Sequence, residues 1–282
     1  MSVNGALRQF SAGGTLPLDG LQWTLDHWDR ASPRLLKRLG DFAAGRNRSG
    51  AAEHESFYIV HLCGEKGDTR AYAPLCRMIA EDPAIDEWLG DGVTETLPGI
   101  LIKVFAGDVS LLQRAIESAA GNEFARASGL AALGYLVRAR RVMTDAEMAE
   151  YLLRIRDALR PEGFSIIWAA WAATAANLGF AELRGDVEVL IRDGLVSTEV
   201  FSLDCFDLQI ELARSDATGL AGFESDLVGP LDDAIFALEK MSGLGDCEFI
   251  EDEVARNRAR PAAFGAVTRP AQTFIPAHKM PD

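Results

Sequence analysis

The chain is predicted to be all-α, a stack of one repeated helical unit, and three observations predict it. A residue of helix N-cap type recurs about every 40 positions, at Ser32, Asp68, Asp108, Asp145, Asp186 and Asp232, in steps of 36, 40, 37, 41 and 46. After the first four, apolar residues follow at helical spacing: Leu35, Leu36 and Leu39; Ala71, Tyr72, Leu75 and Cys76; Leu111, Leu112, Ala115 and Ile116; Met148, Ala149, Leu152 and Leu153. No run of alternating β-branched residues bounded by hairpin turns is present, so no strand is needed. A cap accepts the orphan N–H groups that begin a helix, and the spacing places one apolar stripe on one face, which each unit must bury against its neighbours. Periods of 20 to 50 residues with this content mark stacked arrays.

In chain order, each capped helix follows a helical partner, giving about five to six pairs. The partners are Leu18 to Trp28, Glu55 to Cys63, Leu97 to Phe105, Asn122 to Val137, Phe164 to Leu178, and Glu199 to Leu212. Gly45, Gly67, Gly107, Gly121, Pro161 with Gly163, and Gly179 supply the breaks. Between Asp82 and Thr96 an insertion reads as a short helical turn and a loop, with Pro98 in the first turn of the next helix. The apolar stripe thins after Asp186 and again after Asp232, as at a terminal cap. The organisation expected is a leading segment (1–17), a helical-repeat body (18–250) and an extended Pro- and Arg-containing tail (251–282), which carries Pro261, Pro270, Pro276 and Pro281.

At 282 residues and 48% hydrophobic content the chain can bury a substantial core. Its formal charge of −14 is uneven: residues 51–252 hold 16 basic against 36 acidic side chains. Such a body repels phosphate backbones, so no nucleic-acid partner is expected. Cys63, Cys76, Cys205 and Cys247 form no C-x-x-C pair and read as small core residues of a reducing, cytoplasmic compartment. Residues 1–21 lack an apolar signal-peptide core, and the longest apolar stretch, Phe164 to Phe180, is interrupted by Ser165, Thr174 and Asn177. It reads as a buried helix, and no membrane partner is expected.

The stretch Leu89-Gly-Asp-Gly-Val-Thr-Glu-Thr-Leu-Pro-Gly-Ile-Leu-Ile-Lys-Val-Phe-Ala-Gly-Asp108, and the earlier Gly67-Asp-Thr-Arg-Ala-Tyr-Ala-Pro-Leu75, resemble segments of a bacterial family, domain of unknown function 1186. The resemblance covers most of the chain. It implies a HEAT/armadillo-like α-α superhelix and carries no catalytic residues to transfer. Some relatives look as if they end in a cysteine-rich SEC-C metal-binding motif. This chain departs from them, with only His278 and no cysteine after Cys247, so that zinc site is not carried over.

Motif reading yields no catalytic set, metal or cofactor. His27, His54, His61 and His278 are scattered, and the His-Glu-x-x-His pattern is missing. Phosphate-loop, dinucleotide and nucleophile-elbow patterns are likewise missing. Asp86, Glu87, Asp91 and Glu95 surround Trp88 on the insertion and offer a cation or basic-peptide surface, or simply a solvated acidic loop; their spacing fails the EF-hand template. Asp246, Glu248, Glu251, Asp252 and Glu253 read as a charged stretch able to pair with the following arginines. Trp168 and Trp171 share a face of an alanine-rich helix, either as core or as an anchor for a partner.

The function expected is therefore a scaffold whose concave face holds a basic protein or peptide, with Trp88, Asp91, Glu95, Trp168, Trp171 and Asn177 as candidate contacts. The alternative is an enzyme with a non-standard site in the groove, joining Asn177, a carboxylate and a tryptophan; this rests on fold-level analogy. A structural homo-oligomer or spacer is a third reading, with an exposed apolar patch as its sign.

Overall fold

The computed structural model describes residues 1–159 and 163–243. Among them sixteen α-helices form and no strand does. In order they are α1 (Val3–Ala12), α2 (Leu18–Asp26), α3 (Trp28–Ala43), α4 (Gly50–Lys66), α5 (Tyr72–Glu81), α6 (Ile85–Leu89), α7 (Gly92–Glu95), α8 (Leu97–Val104), α9 (Val109–Glu117) and α10 (Glu123–Arg140). There follow α11 (Asp145–Leu159), α12 (Ile166–Asn177), α13 (Arg184–Arg192), α14 (Leu203–Ser215), α15 (Ala221–Ser225) and α16 (Ala234–Met241). The tail from 251, Cys247, His278 and the acidic stretch 246–253 lie outside the described residues.

Two caps fall where the repeat places them. Asp108 accepts the Leu111 N–H at 3.0 Å to start α9, and Asp68 accepts the Arg70 N–H at 3.1 Å in the 3-10 turn that leads into α5. Two lie one residue away. Thr144, not Asp145, begins α11 through a reciprocal pair, its hydroxyl accepting the Glu147 N–H while the Glu147 carboxylate accepts the Thr144 N–H. Asp233, not Asp232, caps α16 by accepting the Phe236 N–H at 2.8 Å. Two are not caps. Ser32 lies inside α3, buried, with its hydroxyl accepting from Arg70, and Asp186 lies in the first turn of α13, paired with Arg156 of α11. An acidic residue in a first turn is favoured by the helix dipole as well as at the cap, so residue type alone does not separate the two positions.

Helices α4, α8, α10, α12 and α14 pack each on the next, forming a row, with α1 and α2 beside α4. Against this row lie α3, α9, α11 and α13, each packed on its neighbour in sequence, while α5 joins α3 to α9. Burial differs accordingly. All twelve residues of α12 are buried, as is every residue of α4 from 58 to 64, whereas α9 buries only Leu112, Ala115 and Ile116. Residues 1–17 carry α1, whose Ala6, Leu7 and Phe10 are buried; α1 packs on α4 and α2.

After α14 the chain does not add another unit but turns back along the row. Phe223 of α15 lies edge-on to Tyr135 of α10, with ring centroids 5.9 Å apart. Next, the Leu231 N–H donates to the Gly99 carbonyl of α8 at 3.3 Å, Asp232 pairs with Lys103 at 2.9 Å, and the Ala234 N–H donates to Glu65 of α4 at 2.9 Å. Finally, α16 packs on α4 and α2. Three glycines at a constant sequence spacing of 35 make room for this strap. A Cβ at Gly64 would lie 3.0 Å from the Leu231 side chain, at Gly99 2.6 Å from the Gly229 carbonyl oxygen, and at Gly134 3.1 Å from the Phe223 ring. The expected thinning of the repeat after Asp232 is this return.

Candidate interaction site at the α6–α7 insertion

The insertion is two short helices, α6 and α7, tied to the body at both ends. At its start, Asp82 is the C-cap residue of α5 and is buried. Its Oδ1 accepts the Ala84 N–H at 3.2 Å, and its Oδ2 accepts from the Trp88 indole at 3.1 Å and from Arg48. The Arg48 guanidinium lies over the Phe42 ring, 4.1 Å from its centroid, and the Trp88 ring meets Phe42 edge-on at 5.1 Å. A cation, two rings and a carboxylate thus hold α6 in place.

At its end, Thr96 meets the fully buried His61 of α4. Nδ1 of His61 is 2.6 Å from the Phe57 carbonyl, which only accepts, so Nδ1 carries the proton. Nε2 lies 2.9 Å from the Thr96 hydroxyl. Burial lowers the His61 pKa to about 4, outweighing the Phe57 hydrogen bond, so the ring is neutral and Nε2 accepts from Thr96.

From this anchored platform Glu87, Asp91 and Glu95 project into solvent, with Asp86 half-buried among them. Three of the four carboxylates expected on the insertion are therefore at the surface. Trp88 is not offered with them: it is half-buried, its indole N–H committed to Asp82, and it anchors the insertion.

The other candidates lie on α12 and do not join this surface. Trp168 and Trp171 are each 1% exposed, and the Trp171 indole donates to the Leu152 carbonyl of α11 at 2.8 Å, which corrects the reading of either as an anchor for a partner. An alanine-rich helix hemmed in on every side leaves no open face for an indole to project from. Asn177 is also buried. Its Nδ2 donates to Asp226 at 2.7 Å, and Gln209 of α14 donates to the other carboxylate oxygen at 2.7 Å. Asn177 does meet a carboxylate, but a Cβ on Gly222 would lie 2.7 Å from its Oδ1, so the backbone of α15 closes over it. The trio fastens the start of the strap.

The thiols of Cys63 and Cys76 are pushed up by burial, Cys76 to about 12, which keeps them protonated and unreactive. Among the described residues no group of three or more His, Cys, Asp or Glu side chains could hold a metal ion. Among the same residues, no helix is long and apolar enough to cross a membrane. The anchors Phe42 and Arg48 are absent from the sequence reading, because nothing local links them to Trp88 some 40 residues on. The strap had a signal, the 35-residue glycine spacing.

Residues 1–243 match the family described as Protein of unknown function (DUF1186). A protein of Chlamydia muridarum (strain MoPn / Nigg) is 26% identical over 235 residues, spanning 80% of this chain and 91% of its own length. One of Chlamydia trachomatis serovar D is 25% identical over 198 residues, spanning 68% and 76%. Both carry the name "Uncharacterized protein". No solved structure matches the chain. With a match that runs from the first residue to the end of the strap, the chain belongs to the DUF1186 family.

Proposed function

We propose that the protein is a cytoplasmic HEAT/armadillo-like scaffold that binds a basic protein or peptide through the carboxylates of the α6–α7 insertion. The observation that carries this is the contrast between the firm anchoring of the insertion and the exposure of Glu87, Asp91 and Glu95. A rigid platform presents charge without an ordering cost on binding, and carboxylates select for Lys and Arg. The successive packing of α4, α8, α10, α12 and α14 supports the superhelical reading. The site moves from the concave face to this rim because residues 223–241 lie across the row.

The test is affinity capture of the full-length chain at low and high salt, beside the variant D91K/E95K. Partner recovery that falls with salt and in the variant is expected. Undiminished recovery by D91K/E95K would overturn the rim assignment. The enzyme reading asked for an open pocket at Asn177, and the closure of that residue beneath Gly222 gives it no support.

A further inference from the structure

We propose that the strap is exchangeable between two copies of this chain, so that residues 229–241 of one copy seat in the notch at Gly99 and Gly64 of another, giving a swapped dimer. The occupant is fixed by identity: a second copy's strap makes every contact the chain's own strap makes, including the bond from Leu231 to the Gly99 carbonyl, the Asp232 pair with Lys103 and the Ala234 N–H on Glu65. What decides between closed monomer and swapped dimer is then the hinge and the protein concentration.

The hinge is strained when closed. After α15, the Val228 N–H returns to the Phe223 carbonyl at 2.8 Å, and the Leu227 N–H to Glu224 at 3.1 Å. This turn requires a left-handed residue, and the position is taken by Leu227, with φ 59°. Glycine fills the corresponding place after α4, at Gly67 with φ 59°, where no Cβ is crowded. Leu227 is also 63% exposed, so no burial compensates the strain. Three residues on, Pro230 disfavours a compact conformation at Gly229. Opening the turn into extended chain relieves Leu227 and directs the strap away from its own body.

The strap is also lightly held. Of the eight residues of α16 only Ala234 and Leu238 are buried, Phe236 is 54% exposed, and the Asp232 side chain that pairs with Lys103 is 74% exposed. An element with so few buried contacts opens before the body does.

The experiment measures the mass of the full-length protein by light scattering across a range of concentrations, incubated long enough for opening. A dimer that grows with concentration is expected. L227G, which places the turn's preferred residue in the hinge, should lower the dimer association constant about fivefold or more for each of the two hinges. G99A, whose Cβ overlaps the Gly229 carbonyl position, perturbs the closed and the swapped seat alike and should move the association constant far less than L227G does. A monomer at every concentration overturns the proposal, as does a dimer that L227G leaves unchanged or that G99A weakens more than L227G does.

Discussion

The two ends of α5 carry the same three chemical groups with opposite consequences. Ahead of its first turn, Asp68 accepts from the Trp28 indole at 3.1 Å and from Arg70 at 2.6 Å and 2.9 Å. Beyond its last turn, Asp82 accepts from the Trp88 indole at 3.1 Å and from Arg48. Both carboxylates are buried, with side chains 7% and 8% exposed. At the first end the negative charge faces the positive pole of the helix, and Asp68 also accepts the Arg70 backbone N–H. At the second, the charge faces the carbonyl pole, which disfavours it, so Asp82 depends on Arg48 brought from 34 residues away. In one triad the cation is local, two residues away; in the other both the cation and the ring packed on it come from another part of the chain.

The largest expected effect follows from that dependence. R48A leaves a buried carboxylate at a helix C-terminus and should lose about 2 kcal/mol in urea unfolding of the full-length chain. A loss equal to that of R70A would break the comparison.

The second effect is a pH dependence that arises at neither end of α5 but where the insertion rejoins α4 at Thr96. His61 is neutral in the fold with its pKa lowered to about 4, while an unfolded histidine protonates near 6.5. Between those values the unfolded chain binds the extra proton, so stability should fall with falling pH, by about 1 kcal/mol between pH 7.5 and 5.5. H61Q should remove most of this slope, and an unchanged slope would show that another group titrates.

W88F and W28F each delete one indole donor and should each lose about 1 kcal/mol in the same assay, with the Trp88 change the larger because its ring also meets Phe42. A larger loss at Trp28 would invert the ranking.

The smallest effect is that of R70A, since Arg70 is largely exposed and Asp68 keeps its other two donors. The Arg70 hydrogen bond is the leading reason that the Asp68 pKa lies below its ordinary 3.8, outweighing desolvation. That contribution is fully present above pH 4 and is lost as pH falls through the lowered pKa. R70A should therefore flatten the acid limb of the stability curve below about pH 4 and leave the His61 window untouched.

What the sequence made legible follows from how local each signal is. The helices of α9 and α11 were readable because their apolar residues repeat on one face, and α12 because it is apolar all round. The caps were readable only to within a residue or two where an acidic side chain serves equally in the first turn, as Asp186 does. The insertion was located from its breakers, but its clasp joins Phe42 of α3, Arg48 of the loop before α4, Asp82 at the end of α5 and Trp88 of α6, and no periodicity connects them. The fate of Asn177 was hidden for the same reason: its acceptor Asp226 is 49 residues further on, and Gln209, which shares that carboxylate, is 32. Trp171 was ambiguous because spacing places an indole on a face without saying what covers that face.

A chain whose units touch only their neighbours can melt from either end, one unit at a time. While it is seated, the strap removes that option. The bond from Ala234 to Glu65 joins residues 169 apart, and the Lys103 pair with Asp232 joins residues 129 apart. Their loop-closure entropy must be met before these contacts form, which delays folding, and once made they couple the first helices to the last. Loosening α16 therefore exposes α2 and α4 at the far end, so loss of α16 is felt first near the N-terminus.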